Sequence, residues 1–132
     1  MRAARGRRGA GAGARVFEGD LFTAVPAGLR GRVDVLIANV PYVPTGDLGL
    51  LPPEARLHEA RPALDGGADG LDVLRRVVAE APRWLAPGGS LLFETSERQA
   101  PAALAVTGAA GLVALEIRQE DLDATVVTAT RH

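Results

Sequence analysis

Asn39, Val40, Pro41 and Tyr42 stand in succession, and their types and spacing suit chemistry better than any other stretch of the chain. Pro41 fixes its own φ and steers Val40 away from helical backbone, so Asn39 and Tyr42 can face one pocket. The chemistry this favours is on a planar amino nitrogen, an amide or an exocyclic NH2, whose delocalised lone pair makes it a poor nucleophile. The Asn39 side-chain oxygen and the Val40 carbonyl would accept its two hydrogens, orient it and raise electron density on nitrogen. Tyr42 could stack on the flat group. With a positively charged methyl donor supplying the driving force, no general base of unusual pKa is needed before attack. The same residues could also end a strand and pack a proline-rich loop, and spacing alone leaves both readings open.

The chain that must position these groups has 132 residues, 47% apolar and 23% charged, enough for one soluble domain with a core. Its 15 basic and 16 acidic groups nearly cancel, which argues against a duplex-binding surface spread over the molecule. Residues 1–32 nevertheless carry seven Arg against two acids, Glu18 and Asp20, while residues 33–132 carry eight Arg against fourteen acids. Every basic residue is Arg, and Asn39 and Tyr42 are the single Asn and the single Tyr, so they stand out in a sequence that looks GC-biased. Without Cys there is no disulfide, thiolate metal site or Cys nucleophile, and His58 and His132 are the only imidazoles, so no metal site is expected. No apolar run approaches the roughly 20 residues that span a bilayer, and the first residues lack an apolar signal core. A cytoplasmic protein is expected.

Residues 1–13, rich in Arg, Ala and Gly, are expected to be frayed or disordered, and 14–132 to form the domain. Ala14 to Glu18 reads as a short strand and Arg32 to Ala38 as an apolar strand of the kind buried in a parallel sheet. Five of the nine prolines fall between Pro41 and Pro62, which predicts a long loop with a helical turn. It follows the carboxyl end of a strand, where open α/β sheets bind ligands. Asp69 can cap a helix running to about Trp84, with Leu71, Leu74, Val77, Val78, Ala81 and Leu85 on one apolar face. Pro87, Gly88 and Gly89 predict a turn into strand Ser90 to Thr95. Ser96 and Gln99 have capping-box spacing for a helix to about Ala110, although Pro101 suggests a start two or three residues later. Leu112 to Arg118 and Leu122 to Thr130 follow as an antiparallel pair.

This order of elements, together with particular segments, resembles the release factor N(5)-glutamine methyltransferases of the HemK/PrmC family, which are S-adenosylmethionine-dependent class I methyltransferases. The segments are Val16 to Phe22, VDVLIANVPYVP (33–44), LPPEARLHEARPALDGGADGLDVLRR (51–76) and APRWLAPGGSLLFETSERQA (81–100), in the family's order. The resemblance implies an α/β fold: part of a Rossmann-like methyltransferase sheet with a terminal antiparallel strand pair. It implies Asn39, Val40, Pro41 and Tyr42 around a substrate glutamine amide, with Asn39 and Tyr42 as the catalytic pair. Asp20, Leu21 and Asn39 would border S-adenosylmethionine, Asp20 accepting from the adenine amino group and Leu21 packing on the ring. The implied partner is a class-1 peptide release factor presenting a Gly-Gly-Gln loop. Glu94 could border the pocket or be a solvated acid. Asp65 and Asp69 would order the loop, His58 and Glu59 read as loop residues, and Asp34, Arg75, Arg76 and Glu80 as surface charges.

The chain departs from the family in two respects. Val40 stands where the family has Pro, which keeps the carbonyl and frees φ. The glycine-rich loop for the methionine part of the cofactor, and the acidic residue that grips its ribose, have no counterpart. The first two strands of the family sheet are thus expected to be absent, leaving an exposed apolar edge. Three functional readings follow: a glutamine methyltransferase, a truncated fragment that is inactive or depends on a partner, and an amino-methyltransferase of a nucleic-acid base, against which the charge balance weighs.

Overall fold

A computed structural model describes residues 7–8, 13–50 and 65–132. The chain divides into two compact units, Met1–Arg30 and Gly31–His132. In the first, strand β1 (Arg7–Arg8) pairs antiparallel with β2 (Arg15–Val16), shorter than the strand expected over 14–18. The Arg15 guanidinium lies over the Phe17 ring, 5.3 Å from its centroid. A 3-10 turn, Leu21–Ala24, follows Asp20, whose backbone N–H donates to Thr23 Oγ1 over 3.0 Å while the Thr23 hydroxyl donates back to the Asp20 carbonyl over 2.8 Å. Apart from Arg7, Arg8 and Gly13, the segment expected to be frayed lies outside the described residues.

The second unit carries a mixed four-stranded sheet of β3 (Val33–Ala38), β4 (Leu85–Thr95), β5 (Val113–Gln119) and β6 (Ala124–Thr130), in the order β3-β4-β6-β5. β3 and β4 are parallel, and β6 runs antiparallel to both of its neighbours, as the short β5–β6 connection predicts. Helix α1 (Asp72–Trp84) buries Leu74, Val77, Val78, Ala81 and Trp84, and Leu71 and Leu85 at its ends are buried with them. The 3.6-residue period therefore finds the core face correctly. Each such Leu or Val taken out of water contributes about 1.5–3 kcal/mol. Helix α2 (Ala100–Ala109) packs on α1, β5 and β6 through the small residues Ala100, Ala103 and Thr107. Gly111, at φ +92°, ends it.

Three local expectations are corrected. Pro87, Gly88 and Gly89 are not a turn before β4 but a bulge within it: Val33 pairs with Leu85 and Val35 with Ser90, and Gly88 and Gly89 exchange backbone hydrogen bonds with Arg131 at 2.7 and 2.9 Å. Asp69 does not cap α1, which starts at Asp72; its carboxylate accepts instead from the Leu71 N–H at 3.0 Å and orders the turn ahead of the helix. β3 is not buried, with Val35 61% and Ile37 74% exposed. The reason lies in the sheet. Among the described residues β3 is an edge strand, and the helices cover only the face bearing Leu91, Phe93, Thr95, Thr125, Val127 and Ala129. On the opposite face Val35 and Ile37 of β3 and Val113, Leu115 and Ile117 of β5 stand exposed at the two edges, with Ser90, Leu92 and Glu94 of β4 and Val126, Thr128 and Thr130 of β6 between them.

Candidate active site

Asn39, Val40, Pro41 and Tyr42 leave the carboxyl end of β3 together. The pairing of Ala38 with Phe93 sets Asn39 and Glu94 side by side where the two parallel strands finish. Asn39 is exposed, Val40 is buried, and Pro41 and Tyr42 are half-buried. The buried Val40 side chain anchors the segment at its centre while leaving the Asn39 carboxamide in solvent, which is the orientation an acceptor for a substrate NH2 requires. Burial pushes the Tyr42 phenol above its ordinary value, and the negative charge of Glu94 adds to the shift. Tyr42 therefore stays neutral across physiological pH, a flat ring against which a planar group can stack. Glu94 is exposed, as a solvated acid is, and its charge is felt by Tyr42.

The loop that follows Tyr42 is closed at its base. Val43 forms a parallel bridge with Asp65, the Gly66 N–H donates to the Val43 carbonyl at 2.7 Å, and the Thr45 N–H donates to the Gly67 carbonyl at 2.8 Å. Asp65 ties both strands of this base, accepting at one carboxylate oxygen from the Thr45 hydroxyl at 2.6 Å and the Gly67 N–H at 2.9 Å. Its expected role in ordering the loop is thus realised. The Gly66 carbonyl then accepts from the Asp72 N–H at 2.9 Å, which carries the same base into α1. Asp69 is paired with Arg75, which holds its carboxyl down at about 2, and the Leu71 N–H assists. Arg75 also reaches Asp72, so it joins the turn to the helix rather than standing as a lone surface charge.

Asp20 and Leu21 lie in the first unit. Asp20 presents an exposed carboxylate, an acceptor suited to an exocyclic amino group, and Leu21 beside it is half-buried with φ +52°, a left-handed conformation a leucine rarely adopts. Arg76 is exposed and engaged, Asp34 is exposed and Glu80 is half-buried. His58 and Glu59 lie outside the described residues. Among the described residues no group of three or more His, Asp or Glu side chains could hold a metal, and no helix is long and apolar enough to cross a membrane.

Sequence reasoning missed Thr45, Gly70 and Gln99 as parts of the site's support. Gly70 carried a signal within the glycine-rich stretch 66–70. Gln99 was legible only as a capping residue.

A mixed α/β sheet with this segment at the carboxyl end of a parallel strand is compatible with part of a methyltransferase fold. No family model matches the chain. Among curated proteins it is 48% identical over 101 residues to the release factor glutamine methyltransferase of Geobacter sulfurreducens, a match covering 75% of this chain and 34% of that protein. It is 43% identical over 106 residues to the protein of that name in Deinococcus radiodurans, covering 80% and 36%. It is 44% identical over 89 residues to the ribosomal protein uL3 glutamine methyltransferase of Burkholderia pseudomallei, covering 64% and 29%. Over the part that matches, the chain belongs to the release factor glutamine methyltransferase family. It spans about a third of the length of the curated relatives it matches.

Proposed function

We propose that the chain carries the methyl-acceptor half of a glutamine methyltransferase site, acting on the side-chain amide of a glutamine in a protein of the translation apparatus. The observation that carries this reading is the exposed Asn39 carboxamide beside the buried Val40, at the carboxyl end of β3, with the backbone beyond Tyr42 pinned by the Val43–Asp65 base. The Asn39 Oδ1 and the Val40 carbonyl would each accept one hydrogen of the substrate NH2, and Tyr42 would stack on the amide plane. S-adenosylmethionine supplies the electrophilic methyl group. In such a transfer the amide nitrogen would form the new N–C bond, the methyl–sulfur bond would break with its electron pair passing to sulfur, and the nitrogen would release one proton. Asp20 and Leu21 are the residues that would meet the adenine. The substrate favoured by the names of the relatives is a release factor, with a ribosomal protein as the other member of the class. The setting for such a substrate is the cytoplasm.

The test is transfer of labelled methyl from S-adenosylmethionine to a Gly-Gly-Gln peptide by the 132-residue chain and by Asn39→Ala. Transfer that the substitution abolishes supports this reading. A chain that transfers equally well without the Asn39 carboxamide overturns the assignment.

A further inference from the structure

The Asp69–Gly70 turn is gripped from two directions. Gly70 is buried at φ +82°, and a Cβ there would sit 2.0 Å from Gln99 Nε2 and 2.4 Å from the Tyr42 carbonyl oxygen. Only a glycine lets the backbone of Tyr42 and the amide of Gln99 converge on this point. Gln99 Nε2 donates to the Asp69 carbonyl at 3.0 Å, and its Oε1 accepts from the Ser96 hydroxyl at 2.7 Å. The amide orientation is settled by chemistry, because the Asp69 carbonyl can only accept and must therefore face the NH2 end. Ser96 in turn accepts from the Gln99 N–H at 3.1 Å, so Ser96 and Gln99 form a closed pair one turn ahead of α2. The spacing of Ser96 and Gln99 is thus used to aim the side chain of Gln99 across 30 residues of sequence, while α2 itself starts only after Gln99.

We propose that Gln99 is a positioning residue: by holding the Asp69–Gly70 turn against the main chain of Tyr42, it fixes the tyrosine of the methyl-acceptor segment in place. Its consequence for catalysis rests on the glutamine methyltransferase reading above. The structural part does not. Without the amide bridge the turn is free to move off the Tyr42 carbonyl, and the ring loses the packing that keeps it half-buried beside Glu94. A loosened acceptor residue lowers the rate of the chemical step more than it weakens substrate binding.

The chain has a single tyrosine, so phenol ionisation followed by ultraviolet absorbance reads Tyr42 directly and needs no activity. Gln99→Met keeps the side-chain length and removes both hydrogen bonds without adding charge. Gln99→Asn keeps an amide one methylene short of Asp69. Thr107→Ala, on α2, disturbs a different contact of that helix. With folding confirmed by circular dichroism, the two Gln99 variants titrate Tyr42 nearer the ordinary tyrosine value than the unsubstituted chain, and Thr107→Ala does not. On a Gly-Gly-Gln peptide the Gln99 variants lose about tenfold in kcat with KM little changed. A folded Gln99→Met chain whose Tyr42 titrates as before overturns the proposal. So does a shift equalled by Thr107→Ala. A Tyr42 shift in a set of chains none of which transfers methyl retains the positioning role and refutes the methyltransferase reading instead.

Discussion

Replacing Gly70 with Ala separates a special backbone position from a merely flexible one. Two costs add at this residue. Forcing an L side chain to φ +82° costs about 1–2 kcal/mol. The new methyl also lands 2.0 Å from Gln99 Nε2 and 2.4 Å from the Tyr42 carbonyl, and crowding of that kind costs about 1–3 kcal/mol. The sum is about 2–5 kcal/mol, a large share of the stability of a small domain. Two other glycines calibrate the measurement. Gly111 has φ +92° with open space around its Cβ position, so Gly111→Ala carries only the first cost, about 1–2 kcal/mol. Gly108 lies in α2 with open space and ordinary φ, so Gly108→Ala stabilises by roughly 0.5–1 kcal/mol. Urea denaturation of the three variants, followed by the fluorescence of the buried single tryptophan, Trp84, orders them. A Gly70→Ala chain no less stable than Gly111→Ala refutes the claim that the turn is clamped between Tyr42 and Gln99.

Thr95 ends β4 with its hydroxyl buried and, among the described residues, without a hydrogen-bond partner. Thr95→Val is therefore expected to stabilise by about 1 kcal/mol in the same denaturation assay, and a loss of that size would show that the hydroxyl is satisfied in solution. The Asp69 carboxyl is held at about 2 in the folded chain against 3.8 for the free group, chiefly by Arg75. Its contribution to stability is full above about pH 4 and declines as pH falls from 4 towards 2, so Asp69→Asn flattens the acid limb of the stability–pH curve there. An unchanged acid limb would refute the ion pair. Both edge strands of the sheet carry exposed apolar side chains, Val35 and Ile37 on β3 and Val113, Leu115 and Ile117 on β5, and unpaired edges of this kind invite pairing with a second chain. The unsubstituted chain is expected to self-associate in sedimentation velocity, and Ile37→Lys with Leu115→Lys to shift it to monomer without lowering its thermal midpoint. A monomeric parent chain at the same concentration counts against this.

What could be read from the sequence was whatever depends on neighbours close in the chain. The core face of α1 follows from a period of 3.6 residues, and the β5–β6 pair from a short connection. The Asn39–Tyr42 segment is visible because four consecutive residues carry its chemistry. The exposure of Val35 and Ile37 was not evident from the strand itself: VDVLIA has the composition of a buried parallel strand, and while an exposed apolar edge was expected from the resemblance, only the sheet order reveals that the face bearing Val35 and Ile37 is uncovered as well. Likewise, Pro87, Gly88 and Gly89 are turn formers by local chemistry, and they are drawn into β4 because Arg131, far along the chain, supplies their backbone partners.

The same distinction bears on the site. On the proposed function, the Asn39 and Val40 oxygens would serve as acceptors only if their separation and angle matched the two hydrogens of a planar NH2, and a loop bounded by prolines does not hold such an angle unaided. The rigidity comes from residues with no role at the substrate: Asp65 closing the loop base, Gly70 admitting the Tyr42 carbonyl, and Gln99 reaching from the entry to α2. Each lies more than 20 residues from the segment it supports, so substitutions there act on geometry while leaving the chemical groups intact. That separation is also what makes the positioning role measurable. Removing Asn39 takes away an acceptor and leaves the turn, whereas altering Gly70 or Gln99 leaves both acceptors and moves them. The two kinds of variant must therefore differ in the Tyr42 titration even where they agree in lost methyl transfer.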